Sequence, residues 1–172
     1  MAIAIRNALS QDFTQIEQIS VAAYQEYARA LAPGGWEVMQ GNLSQVAKRA
    51  EVAQLIVAQE DCHLVGTVAY FAPGKSDGRL FPPQWASIRL LAVSPSHRGK
   101  GAGRLLTQEC IQRAKADGAC EIGVHTSELM TVARKMYERM GFQQDIELPP
   151  MFGLRYWRYV LPLTKTHEPC SD

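Results

Sequence analysis

The stretch "LLAVSPSHRGKGAGRLL" (residues 90–106) constrains this chain more than any other. A β-rich apolar run ends at Val93. Gly99, Gly101 and Gly103 then alternate with Arg98, Lys100 and Arg104, and a helical apolar pattern begins. A strand, a glycine turn and a helix start in that order build an anion site. The first N–H groups of a helix have no intrahelical acceptor, and the positive end of the helix dipole lies behind them. Glycines let a bulky anion approach the backbone, so the segment suits a phosphate-bearing ligand, and a diphosphate better still.

Two phosphate patterns fail. The P-loop pattern GxxxxGK[ST] needs glycine where Ser94 stands, and Ser or Thr where Gly101 stands. The dinucleotide pattern GxGxxG ends on Arg104 when started at Gly99 and on Leu106 when started at Gly101. No acidic residue closes the next strand to hold a ribose. Net charge is +1 over 172 residues, so no global attraction to nucleic acid or acidic membrane is expected and any electrostatic function is local. Cys62, Cys110, Cys120 and Cys170 show no CxxC or metal-ligand spacing, and they read as reduced packing residues. With no apolar run of membrane length and no basic leader, the chain is expected to be soluble and cytoplasmic, without a metal.

Along the chain, "AIAIR" (2–6) reads as an edge strand, with Ser10 capping the helix that follows and Asp12 in its first turn. "APGG" (32–35) interrupts, and a second helix is expected over about 42–54. "LIVAQE" (55–60) and "LVGTVAYF" (64–71) form a hairpin, and 72–84 is a long loop. "WASIRLLAV" (85–93) reads as a strand buried on both faces. A helix over about 104–117 and a strand at 119–126 complete a parallel crossover. Leu129, Val132, Ala133, Met136, Tyr137 and Met140 mark the inner face of a helix from Glu128 to Met140. Strands at 142–148 and 154–163 come last. Residues 1–163 form the expected single domain, with a polar tail at 164–172 expected to fray. The fold class is mixed α/β with one internal parallel crossover.

Taken together, "LLAVSPSHRGKGAGRLL" resembles the acyl-CoA signature of the GNAT (Gcn5-related) N-acetyltransferases, whose core [R/Q]xxGx[G/A] is matched by Arg98, Gly101 and Gly103. "TVARKMYERMGF" resembles a second hallmark: Ala133, Tyr137 four residues later, then Gly141-Phe142. The resemblance covers about residues 3–163. It implies a mostly antiparallel sheet with a central, splayed parallel strand pair flanked by helices, and acetyl-CoA as co-substrate.

Residue by residue, the resemblance assigns the pyrophosphate to the backbone of Gly99, Lys100, Gly101, Ala102, Gly103 and Arg104, with Arg98 shaping the turn. It sets the pantetheine arm against Leu91, Ala92 and Val93, with the oxyanion near the Val93 N–H. Tyr137 becomes the general acid. Met130 stands where many members have an asparagine touching the arm, close to Ala133. Ser87 occupies the place of the glutamate base of many members; serine is a poor base, so a water relay or a different residue is expected, with His125, ending its strand near the splay, the first candidate. The resemblance also places the acceptor under the first two helices, where Tyr24, Tyr27 and Trp36 lie with Glu26 and Glu37, an acidic aromatic lid suited to a cationic amine. The 72–84 loop and "PPMFGLRYW" (149–157) are the other expected walls. The implied reaction is direct acetyl transfer to a primary amine, small-molecule or peptide, in a ternary complex. A non-catalytic acyl-CoA sensing module is the alternative that Ser87 keeps open. Monomer and homodimer are equally compatible with the sequence.

Overall fold

The computed structural model describes residues 2–163. One seven-stranded sheet runs in the order β1-β2-β3-β4-β5-β7-β6. Its strands are β1 (Ala4–Asn7), β2 (Gln54–Glu60), β3 (His63–Phe71), β4 (Ala86–Val93), β5 (Glu121–Ser127), β6 (Gln143–Met151) and β7 (Leu154–Pro162). Every neighbouring pair is antiparallel except β4 with β5. The helices are α1 (Phe13–Tyr24), α2 (Gly35–Leu43), α3 (Val46–Ala50), α4 (Ala102–Ala116) and α5 (Thr131–Arg139). The mixed sheet with one parallel pair is the expected architecture.

Alternation along β2 sets the layers. Leu55 and Val57 pack with Ile16 of α1 and Val46 of α3, whereas Ile56 and Ala58 join Leu106, Cys110 and Ala114 of α4. An unbroken apolar run therefore serves a strand covered on both faces. The β2–β3 hairpin turns on Asp61 and Cys62, both at positive φ.

Several local expectations change. Ser10 does not cap α1: the Asp12 carboxylate accepts the Leu9 N–H at 2.7 Å and is held by Arg6, also at 2.7 Å. The second helix is two helices. Left-handed Gly34 caps α2, which starts at Gly35 within "APGG"; Met39 and Leu43 bury its inner face, and the chain kinks at Ser44–Gln45 before α3. Residues 51–54 are not helical, and Gln54 opens β2. The helix expected from Glu128 starts only at Thr131. Glu128 is still tied to the sheet, its N–H donating to the Arg155 carbonyl and its Oε1 accepting the Arg155 N–H, each at 3.0 Å. Val132 is 83% exposed, so it leaves the expected inner face of α5. Cys62 and Cys110 are free thiols, but Cys120 is disulfide-bonded, which corrects the reduced state expected there. Cys170 and the tail 164–172 lie outside the described residues. No helix among the described residues is long and apolar enough to cross a membrane.

Candidate active site

The site begins where the sheet comes apart. β4 and β5 pair only through Ala86–Ile122, Ser87–Gly123 and Ile88–Val124. Beyond Ile88 the two strands run on without pairing, which leaves one edge of residues 89–93 facing a gap. A bulge sharpens the separation. Thr67 pairs with Ala92 and Ala69 with Arg89, so β4 carries one extra residue, and Leu90 sits at φ 54°. A bulge bends its strand and re-aims the residues beyond it. Strand β4 is accordingly fully buried at Ala86, Ser87 and Ile88 but only half-buried from Arg89 to Leu91, which limits the expected two-faced burial to its first half.

The glycine turn lies at the end of β4. Gly99 and Gly101 have φ of 78° and 92°, and a Cβ at either would meet no atom within 4 Å. Glycine is required there by the left-handed backbone, and the space outside stays open to a ligand. Gly101 caps α4 with no side-chain cap bond, so the N–H groups of the first α4 turn point outward. Such outward N–H groups beside open glycines suit an anion. Two carboxylates temper its charge. Glu26 accepts from Arg98 at 2.9 Å, and Arg98 also donates to the Ala23 carbonyl at 3.1 Å. Glu60 pairs with Lys100 at 3.1 Å and lies 3.8 Å from His97. Arg98 thereby fastens the turn to the end of α1.

A cleft of about 550 Å³ opens beside the split. Leu91, His125, Met130, Ala133, Tyr137 and Tyr24 all line it, so the structure gathers these expected residues in one place. Tyr137 is 3% exposed, and burial raises its hydroxyl well above the usual phenol range, with the nearby Tyr24 second. It therefore holds a proton throughout the physiological range. The Tyr24 hydroxyl donates to the Leu91 carbonyl at 3.3 Å. His125 packs between Phe81 and Tyr156, at ring distances of 6.2 and 5.8 Å. Burial, then the charge of Arg89, push its imidazole down to about 4, so the ring is neutral at pH 7.

Other expected residues lie elsewhere. Ser87 is fully buried and bonded Oγ to Oγ with Ser76 at 2.6 Å, away from the cleft lining. Tyr27 and Trp36 are half-buried outside it, although Tyr27 packs edge-on against Tyr24 at 6.1 Å. Ala92 and Val93 lie beneath, Val93 packed towards α4. Both expected walls do contribute: the 72–84 loop through Asp77 and Arg79, and the β6–β7 turn through Met151, Phe152 and Tyr156.

Sequence reasoning missed Arg49, Arg89 and Thr126, which also line the cleft. Arg89 carried a faint signal, a lone cation inside an apolar strand. Arg49 reaches the site only because the chain kinks before α3, which no local pattern announced. Among the described residues no group of three or more His, Cys, Asp or Glu could hold a metal ion.

A sheet split at one parallel pair, with a glycine turn feeding a helix beneath the split, is the architecture of solved acetyltransferases. The yncA acetyltransferase of Salmonella typhimurium, solved with its cofactor acetyl-CoA, aligns with a TM-score of 0.74 over 100% of both chains at 21% identity. The PaiA N-acetyltransferase of Thermoplasma acidophilum, solved with coenzyme A, aligns with a TM-score of 0.71 over 92% of this chain and 98% of its own, at 16% identity. The chain belongs to the acetyltransferase (GNAT) family, whose model matches residues 4–142. Among curated relatives, N-acetyltransferase family 8 member 3 of Rattus norvegicus is 34% identical over 110 residues, 58% of this chain and 47% of the relative. Mycothiol acetyltransferase of Kocuria rhizophila is 29% identical over 72 residues, 42% of this chain and 22% of the relative. The matches thus span less than half the length of these relatives.

Proposed function

We propose that this chain transfers the acetyl group of acetyl-CoA to the nitrogen of a primary amine by direct attack within a ternary complex. The observation that carries this reading is the unpaired β4 edge, with open N–H groups of α4 at one end and the buried Tyr137 beside it. The pyrophosphate rests on the backbone of residues 99–104, and the pantetheine arm takes the place of the missing strand along Leu91, Ala92 and Val93. Met130 and Ala133 pack against the arm from the start of α5.

The amine nitrogen attacks the thioester carbonyl, with the Val93 N–H assigned to the developing oxyanion. The carbon–sulfur bond breaks, and Tyr137 gives its proton to the leaving thiolate. The nitrogen loses one proton to solvent through the cleft, and Tyr137 is reprotonated by the same route. His125 has no hydrogen-bond partner at Nδ1 among the described residues. Its low basicity suits it to accept a hydrogen bond from the neutral amine and so orient it. Removing a proton from an ammonium is beyond a base this weak. The cations lining the cleft favour the neutral amine instead. On this reading the protein acts in the cytoplasm on a soluble acceptor.

A panel of primary amines with acetyl-CoA, followed by free-thiol release at several pH values, tests the proposal. Amine-dependent release is expected. Thiol release that ignores the amine overturns it.

A further inference from the structure

Three buried polar atoms without a hydrogen-bond partner among the described residues belong to residues lining the same cleft: Arg89 Nε, His125 Nδ1 and Thr126 Oγ1. Native structures rarely leave buried polar atoms unmet, so each of these calls for a partner, water or ligand, from the cleft. Charge adds a second, independent observation. Lys48, Arg49, Arg79 and Arg89 line the cleft against only two carboxylates, Glu51 and Asp77. Asp77 is held by Arg79 at 2.9 Å. None of the ion pairs among the described residues includes Arg49 or Arg89. One Arg49 Nη donates to the Asn42 carbonyl, which leaves its charge uncompensated.

Burial, then the charge of Arg89, disfavour the protonated form of Arg49. Two like charges in a half-buried cleft repel, and an anion between them removes the conflict. That anion is not the pyrophosphate of the cofactor, because none of residues 99–104 lines this cleft. The remaining walls are apolar at Met151, Phe152 and Tyr156.

We infer that the acceptor is an amine bearing a carboxylate, a free α-amino acid with an apolar side chain, and that Arg89 and Arg49 bind its carboxylate. A guanidinium presents a planar fork that matches a carboxylate bidentately. The apolar side chain then lies against Phe152 and Tyr156, while the amino group faces His125 and the thioester. This assignment replaces the cationic amine expected from the lid. Of the lid's acidic groups, Glu26 is paired with Arg98 and neither it nor Glu37 lines the cleft.

The inference rests on the acetyl-transfer reading for the amino group but has a readout of its own. Calorimetry measures the binding of N-acetyl-leucine and N-acetyl-leucinamide to the intact chain and to R89Q, with R49Q as the second variant. The acid is expected to bind about 10- to 100-fold more tightly than the amide, the range set by charged hydrogen bonds. Either substitution should erase most of that preference while leaving the affinity for CoA within about 3-fold. Equal binding of acid and amide overturns the inference, as does absence of binding by both or a preference that survives both substitutions. Thiol release is then compared for leucine and 3-methylbutylamine. Faster turnover of the amine overturns the inference and leaves acetyl transfer standing. Release with neither, despite tight acid binding, overturns acetyl transfer and leaves the carboxylate site standing.

Discussion

The Tyr24 hydroxyl, at the last residue of α1, donates to the carbonyl of Leu91 on the split edge of β4 at 3.3 Å. One bond thus joins the helix over the acceptor cleft to the strand assigned to the cofactor. Tyr24→Phe removes it and leaves the ring in place. The expected loss is about 1 kcal/mol, or roughly 2–4 °C in Tm for a domain of this size, read by thermal unfolding. An unchanged Tm would mean that the bond carries no net stability.

Tyr137 is the hydroxyl assigned to the leaving thiolate, and burial raises it above the usual phenol range. Tyr137→Phe should lower kcat by about 100-fold or more, within the usual range for general acids, with the affinity for CoA changed less than about 3-fold. Steady-state kinetics alongside CoA calorimetry separates the two effects. Full kcat in the variant would remove the acid assignment.

Gly101 combines φ of 92° with the N-cap position of α4. An alanine there meets no steric neighbour but must adopt a left-handed backbone, which costs about 1–2 kcal/mol. Gly101→Ala should therefore lose stability by about that amount in urea unfolding. It should also weaken CoA by about 10-fold as the open N–H groups are re-aimed. Retained CoA affinity would place the pyrophosphate elsewhere.

Glu60 neutralises Lys100 beside the turn. Glu60→Gln should tighten CoA binding about 2- to 5-fold at low salt, and the gain should vanish near 0.5 M NaCl as screening sets in. Calorimetry at two ionic strengths reads the change. Weaker binding at low salt would show that the pair positions the lysine and does not compete for it.

His125 links stability to pH. Burial lowers its basicity to about 4 from an ordinary value near 6.5, so the folded chain prefers the neutral ring. Between those values the unfolded chain binds more protons. Stability from this group is complete above about pH 6.5 and is lost as pH falls through about 4, by at most about 3 kcal/mol. Urea unfolding from pH 4 to 7.5 should show that slope, and His125→Gln should flatten it. An equal slope in the variant would assign the titration to another group.

Much of this was legible in the residues because local chemistry dictated it. The turn at 99–104 admits few backbones, α4 follows directly, and the spacing from Ala133 to Tyr137 places that tyrosine on the cleft side of α5. Elements set by tertiary contacts were harder to read. The break between α2 and α3 depends on where Leu43 and Val46 can both be buried, and the late start of α5 depends on Glu128 staying paired with Arg155. The charge of the cleft was the least legible feature. It arises from Arg49 and Arg89, which lie 40 positions apart and meet only once β4 bulges and the chain kinks before α3.

Among the described residues, the parallel ladder of three residue pairs between β4 and β5 is the sole strand pairing that joins the four-stranded half of the sheet to the three-stranded half. A cofactor lying along the rest of that seam would act as a spline, completing a joint that the polypeptide leaves short. Emptied of it, the molecule should breathe at this joint first, and amide exchange at residues 89–93 and 125–127 should slow sharply once the spline is in place.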